Sequence, residues 1–102
     1  MRKVNVYGQD YKIHYVKDLA ITHGDDGACY PSRSRIEIEK DCNDKEQTTL
    51  HELGHALFHR LGWSQGIDDN LEEIIVETYA TFITENFEIK WKKKKKSLAL
   101  KS

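Results

Sequence analysis

Polar and apolar positions alternate along the first part of the chain and then change to helical spacing. In residues 2–7 Val4 and Val6 alternate with polar neighbours, and in 11–16 Tyr11, Ile13 and Tyr15 do the same. Gly8-Gln9-Asp10 lies between them, so the pattern predicts a hairpin with a short glycine-containing turn. His14 falls on the polar side of its strand and is expected to face solvent. Residues 17–27 carry Asp25-Asp26-Gly27 and read as loop, the aspartates as turn chemistry rather than a cation site. Ala28-Cys29-Tyr30, the turn-like Pro31 to Ser34 and the run Arg35 to Glu39 predict a second hairpin. Its last strand points Ile36 and Ile38 inward, Glu37 and Glu39 outward.

Leu50, Leu53, Leu57 and Leu61 then fall on one stripe at helical spacing, predicting a helix over 44–61. Asn43 with Glu46 makes a capping box, and Gly62 is a natural stop. Trp63 to Asn70 connects to a second helix over 70–88. There Leu71, Ile74, Ile75, Thr78 and Phe82 form one stripe, and Val76, Tyr79, Ala80 and Ile83 another. Apolar residues over so much of the circumference predict a largely buried helix packed on its predecessor. The fold expected is α+β: a small antiparallel sheet from residues 2–40 supporting two main helices. Residues 1–91 make one domain, and 92–102 form a lysine-rich tail beginning with Lys92 to Lys96, solvated by self-repulsion.

Composition narrows the classes. The 102 residues suffice for one small core, with 38% hydrophobic and 32% charged residues and a net charge of −1. Beyond the tail no basic stripe with interleaved aromatics points to nucleic acid. No apolar run approaches a membrane span and the N-terminus lacks a signal peptide's core, so a cytoplasmic protein is expected. Cys29 and Cys42 form no CxxC pair and are expected as free thiols.

The chemistry lies in His51-Glu52-Leu53-Gly54-His55, an H-E-x-x-H sequence in the middle of the first long helix. Residues four apart share a helix face, so two imidazoles can address one zinc ion. Glu52 stands one step round the helix, where a carboxylate can take the proton of a zinc-activated water. An open zinc site needs a third protein ligand. A histidine six residues beyond His55 is excluded, because Leu61 stands there. His59 lies roughly 12 Å along the axis from His51 and is read as a wall or polar helix position. Glu72, Glu73 and Glu77 of the second helix remain. A buried carboxylate needs a partner, and zinc with its histidines offers one. The division adopted makes Glu73 the ligand and Glu77 the acceptor for the far nitrogen of a zinc histidine. Glu77 is the rival ligand. Capping boxes at Asn70/Glu73 and Asp69/Glu72 are the competing reading. Tyr30, Tyr79 and His59 are candidate donors to an oxyanion.

Thr-Thr-Leu-His-Glu-Leu-Gly-His-Ala-Leu after the strand Arg-Ile-Glu-Ile-Glu, and before a helix carrying Glu73, Val76, Glu77, Tyr79 and Ala80, resembles the ImmA/IrrE family of small zinc metallopeptidases. That family is common in phages and mobile elements, and the scheme is gluzincin-like. The resemblance covers about residues 27–87. It implies a minimal zincin-like fold, zinc on His51, His55 and Glu73, and Glu52 as general base. It also implies peptide-bond hydrolysis with a narrow protein substrate such as a transcriptional repressor. Larger members carry a DNA-binding or sensor domain that this sequence lacks. The family often has Ala-Asn where this chain has Val76-Glu77. The alternative expectation is a weakly active or inactive scaffold of the same kind that sequesters a host or phage regulator.

Overall fold

The structure is a computed structural model describing residues 1–92; the expected tail lies outside the described residues apart from Lys92. Strands β1 (Arg2–Val6) and β2 (Gln9–Val16) form the first hairpin. Its turn is tighter than Gly8-Gln9-Asp10 suggests. Tyr7 and Gly8 alone make it, with φ of 48° and 87°, as a two-residue turn matched to strand twist requires.

The segment after β2 holds a short helix, α1 (Leu19–His23), where loop was expected. Leu19 is buried, and the Glu39 carboxylate accepts the Ala20 N–H at 2.9 Å. Glu39 is therefore buried at the start of α1 rather than turned outward. The bond from Ala20 is the main cause holding its carboxyl below the usual range.

Strands β3 (Gly27–Tyr30) and β4 (Arg35–Glu39) form the second hairpin. The sheet order is β1-β2-β4-β3, and β2 pairs with β4 in parallel. The sheet is thus mixed, two antiparallel hairpins joined by one parallel pair. The reason is the crossover through α1, which carries the chain to the outer edge before β4 returns beside β2. In that register Ile13 faces Ile36 and Tyr15 faces Ile38, so the apolar sets share one face. Val6, Tyr11, Ile13, Ile36 and Ile38 form the core with Ala56, and Leu53 and Cys29 pack against it. Both cysteines are free, as expected, and burial pushes the Cys29 thiol up to about 12. His14 lies on the opposite face, half-buried beside Arg35, Glu37 and Lys12.

Helix α2 (Lys45–Arg60) covers the core face. Its cap is Asp44, whose side chain accepts the Gln47 N–H at 3.1 Å; the Asn43/Glu46 box does not form. Glu46 instead accepts the Ile89 N–H at 3.3 Å. Gly62, with φ of 76°, ends the helix as expected. Thr49, Glu52 and Ala56 are the buried positions of α2. Helix α3 (Asp69–Asn86) packs mainly on α2. Its N-cap is Asp68 with no side-chain cap bond, so neither proposed box is present.

The expectation of a largely buried α3 does not hold. Only Glu72, Val76 and Ala80 are buried, while Leu71, Ile74, Tyr79 and Phe82 are exposed. The physical cause is layering: α2 already occupies the sheet, so α3 has one helix face to bury against. The leucine stripe of α2 lines an apolar groove of about 480 Å³ together with Ile75, Tyr79 and Ile83. No helix among the described residues is long and apolar enough to cross a membrane.

Candidate metal centre

Round α2, Glu52 belongs to the sheet-facing positions, and His51 and His55 project from the neighbouring face into a cleft of about 410 Å³. Across the cleft α3 supplies Glu73 and Glu77. One ligand atom from each of His51, His55 and Glu73 lies within 4.8 Å of the others, a group that could hold a metal ion. The His51 and His55 Nε2 atoms are 3.3 Å apart. Glu73 Oε1 lies 2.6 Å from His51 Nε2, and Glu73 Oε2 lies 3.1 Å from His55 Nε2. Zinc bonds of about 2.0–2.1 Å at the tetrahedral angle place ligand atoms about 3.3 Å apart. The two-histidine, one-carboxylate set therefore fits such an ion in chemistry, and the imidazole pair fits it in spacing, while Glu73 stands closer to His51 than two ligands of one ion would and has to draw back for both to bind it.

Each imidazole is held from behind by a second carboxylate. Glu77 Oε1 lies 2.7 Å from His51 Nδ1, and Glu72 Oε2 lies 2.5 Å from His55 Nδ1. An ionised carboxylate only accepts, so each Nδ1–H donates, and with an ion bound each Nε2 would be left to give it a lone pair. Both carboxylates are themselves anchored. Gln47 Nε2 donates to Glu77 at 2.9 Å, and the Ser64 hydroxyl donates to Glu72 at 2.7 Å. Burial pushes both carboxyls up, but these bonds outweigh it and leave each below its ordinary value. The sequence reading placed Glu77 in this role and missed Glu72, which it weighed as a third ligand or a cap. The available signal was periodic: Glu72 shares a stripe with the small apolar Val76 and Ala80, the face α3 turns to α2.

Glu52 is only 8% exposed and lines the cleft, and among the described residues its carboxylate makes no hydrogen bond. Burial raises its pKa against the opposing pull of His51 and His55. Two glycines permit this geometry. A Cβ on Gly27 would stand 2.8 Å from Glu52 Oε2 and 2.9 Å from Thr48 Cγ2, so β3 crosses α2 only without a side chain there. A Cβ on Gly54 would stand 2.8 Å from Val76 Cγ1. That close approach of α2 and α3 is what brings Glu73 within reach of both imidazoles.

No β4 residue lines the cleft. It borders the start of β3, the outer strand, where Asp25, Asp26 and Gly27 line it. The two aspartates read as simple turn residues are thus part of its wall. His59 is exposed on α2 and outside the cleft. Tyr30 does not line the cleft either; its hydroxyl lies 3.3 Å from His23 Nε2. Tyr79 lines the apolar groove. None of the three is placed to reach an oxyanion; Gln47 and Thr48 are the neutral polar side chains that do line the site. No family model, curated protein or solved structure matches the chain, so its chemistry is read from this arrangement of side chains.

Proposed function

We propose that the chain is a zinc-dependent endopeptidase of the ImmA/IrrE kind, acting in the cytoplasm on a narrow range of protein substrates. His51, His55 and Glu73 hold the ion and Glu52 is the general base. The observation that carries this reading is the convergence of three ligand atoms beside a buried carboxylate that has no hydrogen-bond partner among the described residues. Zinc in this position supplies a Lewis acid that polarises a peptide carbonyl and acidifies water. Glu52 takes the proton of the attacking water and passes it to the leaving amine nitrogen. Glu72 and Glu77 keep the imidazoles in the tautomer and orientation that binding needs. β3 is an edge strand at the cleft, able to hold an extended peptide by main-chain hydrogen bonds. The resemblance makes a transcriptional repressor the first substrate to try.

The test is zinc content together with cleavage. The parent should carry one zinc per chain, and Glu52→Gln should keep that zinc while cleavage falls by about 10²–10⁴-fold. A Glu52→Gln variant that cuts at the parental rate refutes the mechanism. A protein that holds its partner with no zinc and no cleavage is the sequestering scaffold instead.

A further inference from the structure

The cleft carries more negative charge than a zinc site uses. Among the described residues five carboxylates line it, from Asp25, Asp26, Glu52, Glu73 and Glu77, and no lysine or arginine does. Glu73 and Glu77 face the imidazoles, and Glu52 is the buried, unpartnered carboxylate aimed into the cleft. Asp25 and Asp26 are surplus to the metal. They are exposed, and neither side chain is in an ion pair among the described residues. Their backbone is pinned, because the Glu39 N–H donates to the Asp26 carbonyl at 2.6 Å. They stand immediately before edge strand β3, against which an extended peptide could pair. A divalent ion offsets only two of the five charges, so the cleft stays negative. Walls of one sign focus the field and concentrate ligands of the opposite sign.

We infer that the cleft selects a basic peptide, with lysine or arginine seated against Asp25 and Asp26 beside the bond to be cut. The choice of bond rests on the peptidase reading above; the charge selection is separable from it. The first measurement uses the zinc-loaded full chain and a pool of random peptides, with cut sites read by mass spectrometry. Lysine and arginine should be enriched about threefold beside the cut, as one partly exposed ion pair gives. The double variant Asp25→Asn/Asp26→Asn should lose that enrichment while keeping its zinc. Cuts without enrichment, or enrichment that survives the double variant, overturn the inference.

The second measurement needs no cleavage. Zinc-loaded Glu52→Gln is titrated with fluorescein-labelled peptides in which alanine alternates with lysine, serine or glutamate. The lysine peptide should bind about tenfold tighter than the serine peptide at low salt, weakening as salt rises. The advantage should vanish in the variant that also carries both asparagines. Equal affinity for the lysine and serine peptides overturns the inference. Selective binding without any cleavage by the parent sustains it and counts against the peptidase reading alone.

Discussion

Adding one methyl group at Gly54 tests whether helix approach sets the metal site. The new Cβ of Gly54→Ala would lie 2.8 Å from Val76 Cγ1 and 3.0 Å from Val76 Cβ. Carbon atoms in comfortable contact stand about 3.5–4.0 Å apart, so α3 must retreat by roughly 0.5–1 Å or Val76 must leave its rotamer. A β-branched side chain in a helix has essentially one rotamer, which favours the retreat. Overpacking costs about 1–3 kcal/mol, while alanine in place of a helical glycine returns about 1 kcal/mol. The net effect on folding is a loss of about 0–2 kcal/mol, or a few degrees in Tm for a domain of this size. Zinc binding should suffer more. Glu73 sits three residues before Val76 and moves with it, and bonds of about 2.0–2.2 Å do not stretch by 0.5 Å. Zinc affinity, measured by competition with a chromophoric chelator, should fall by at least about tenfold, equivalent to about 1.4 kcal/mol. Gly54→Ala/Val76→Ala should recover much of that affinity, because removing the two methyl groups relieves the clash. The coupling between the two sites should then be plain in a double-mutant cycle. A Gly54→Ala protein that binds zinc like the parent and is more stable by the full helix-propensity gain would refute the reasoning.

Glu77→Gln and Glu72→Gln should each weaken zinc binding by about 10–100-fold, as loss of a histidine's outer partner does, with little change in the fold by circular dichroism; unchanged affinity in both would remove the two carboxylates from the site. Glu39 has a depressed folded-state pKa, so its contribution to stability is fully present above the ordinary carboxylate value of 4.5 and is lost as pH falls through the lower folded value. Glu39→Gln should therefore melt below the parent at pH 7, with the gap narrowing as the solution is acidified; a gap that stays constant with pH would show that the charge is not what α1 uses.

Much of the local architecture was legible because it depends on neighbours in the chain. The alternation of Tyr11 with Ile13, the spacing of His51 and His55, and the stop at Gly62 follow from strand and helix geometry. Glu73 as the third ligand and Glu77 as partner to one of the histidines were expected from ligand number, which also needs no coordinates; the charge-burial premise behind that choice does not hold, since the Glu73 and Glu77 side chains are 57% and 54% exposed. The burial of α3 was misread because periodicity shows which faces are apolar, not whether a second layer exists to cover them. Glu39 was misread because alternation cannot show that the outward face of a strand end lies beneath another element's N-terminus.

By itself, then, the sequence determined the four strands and the two long helices (though not α1), the two histidines on one turn-to-turn face and the acids available to them, since helix and strand periods act over a few residues. Only the tertiary structure decided that β4 runs parallel to β2, that Glu72 rather than solvent holds His55, and that Asp25 and Asp26 wall the cleft. Those facts depend on long-range contacts set by steric fit, above all the absence of a side chain at Gly27 and Gly54, and no local pattern encodes how closely two backbones approach.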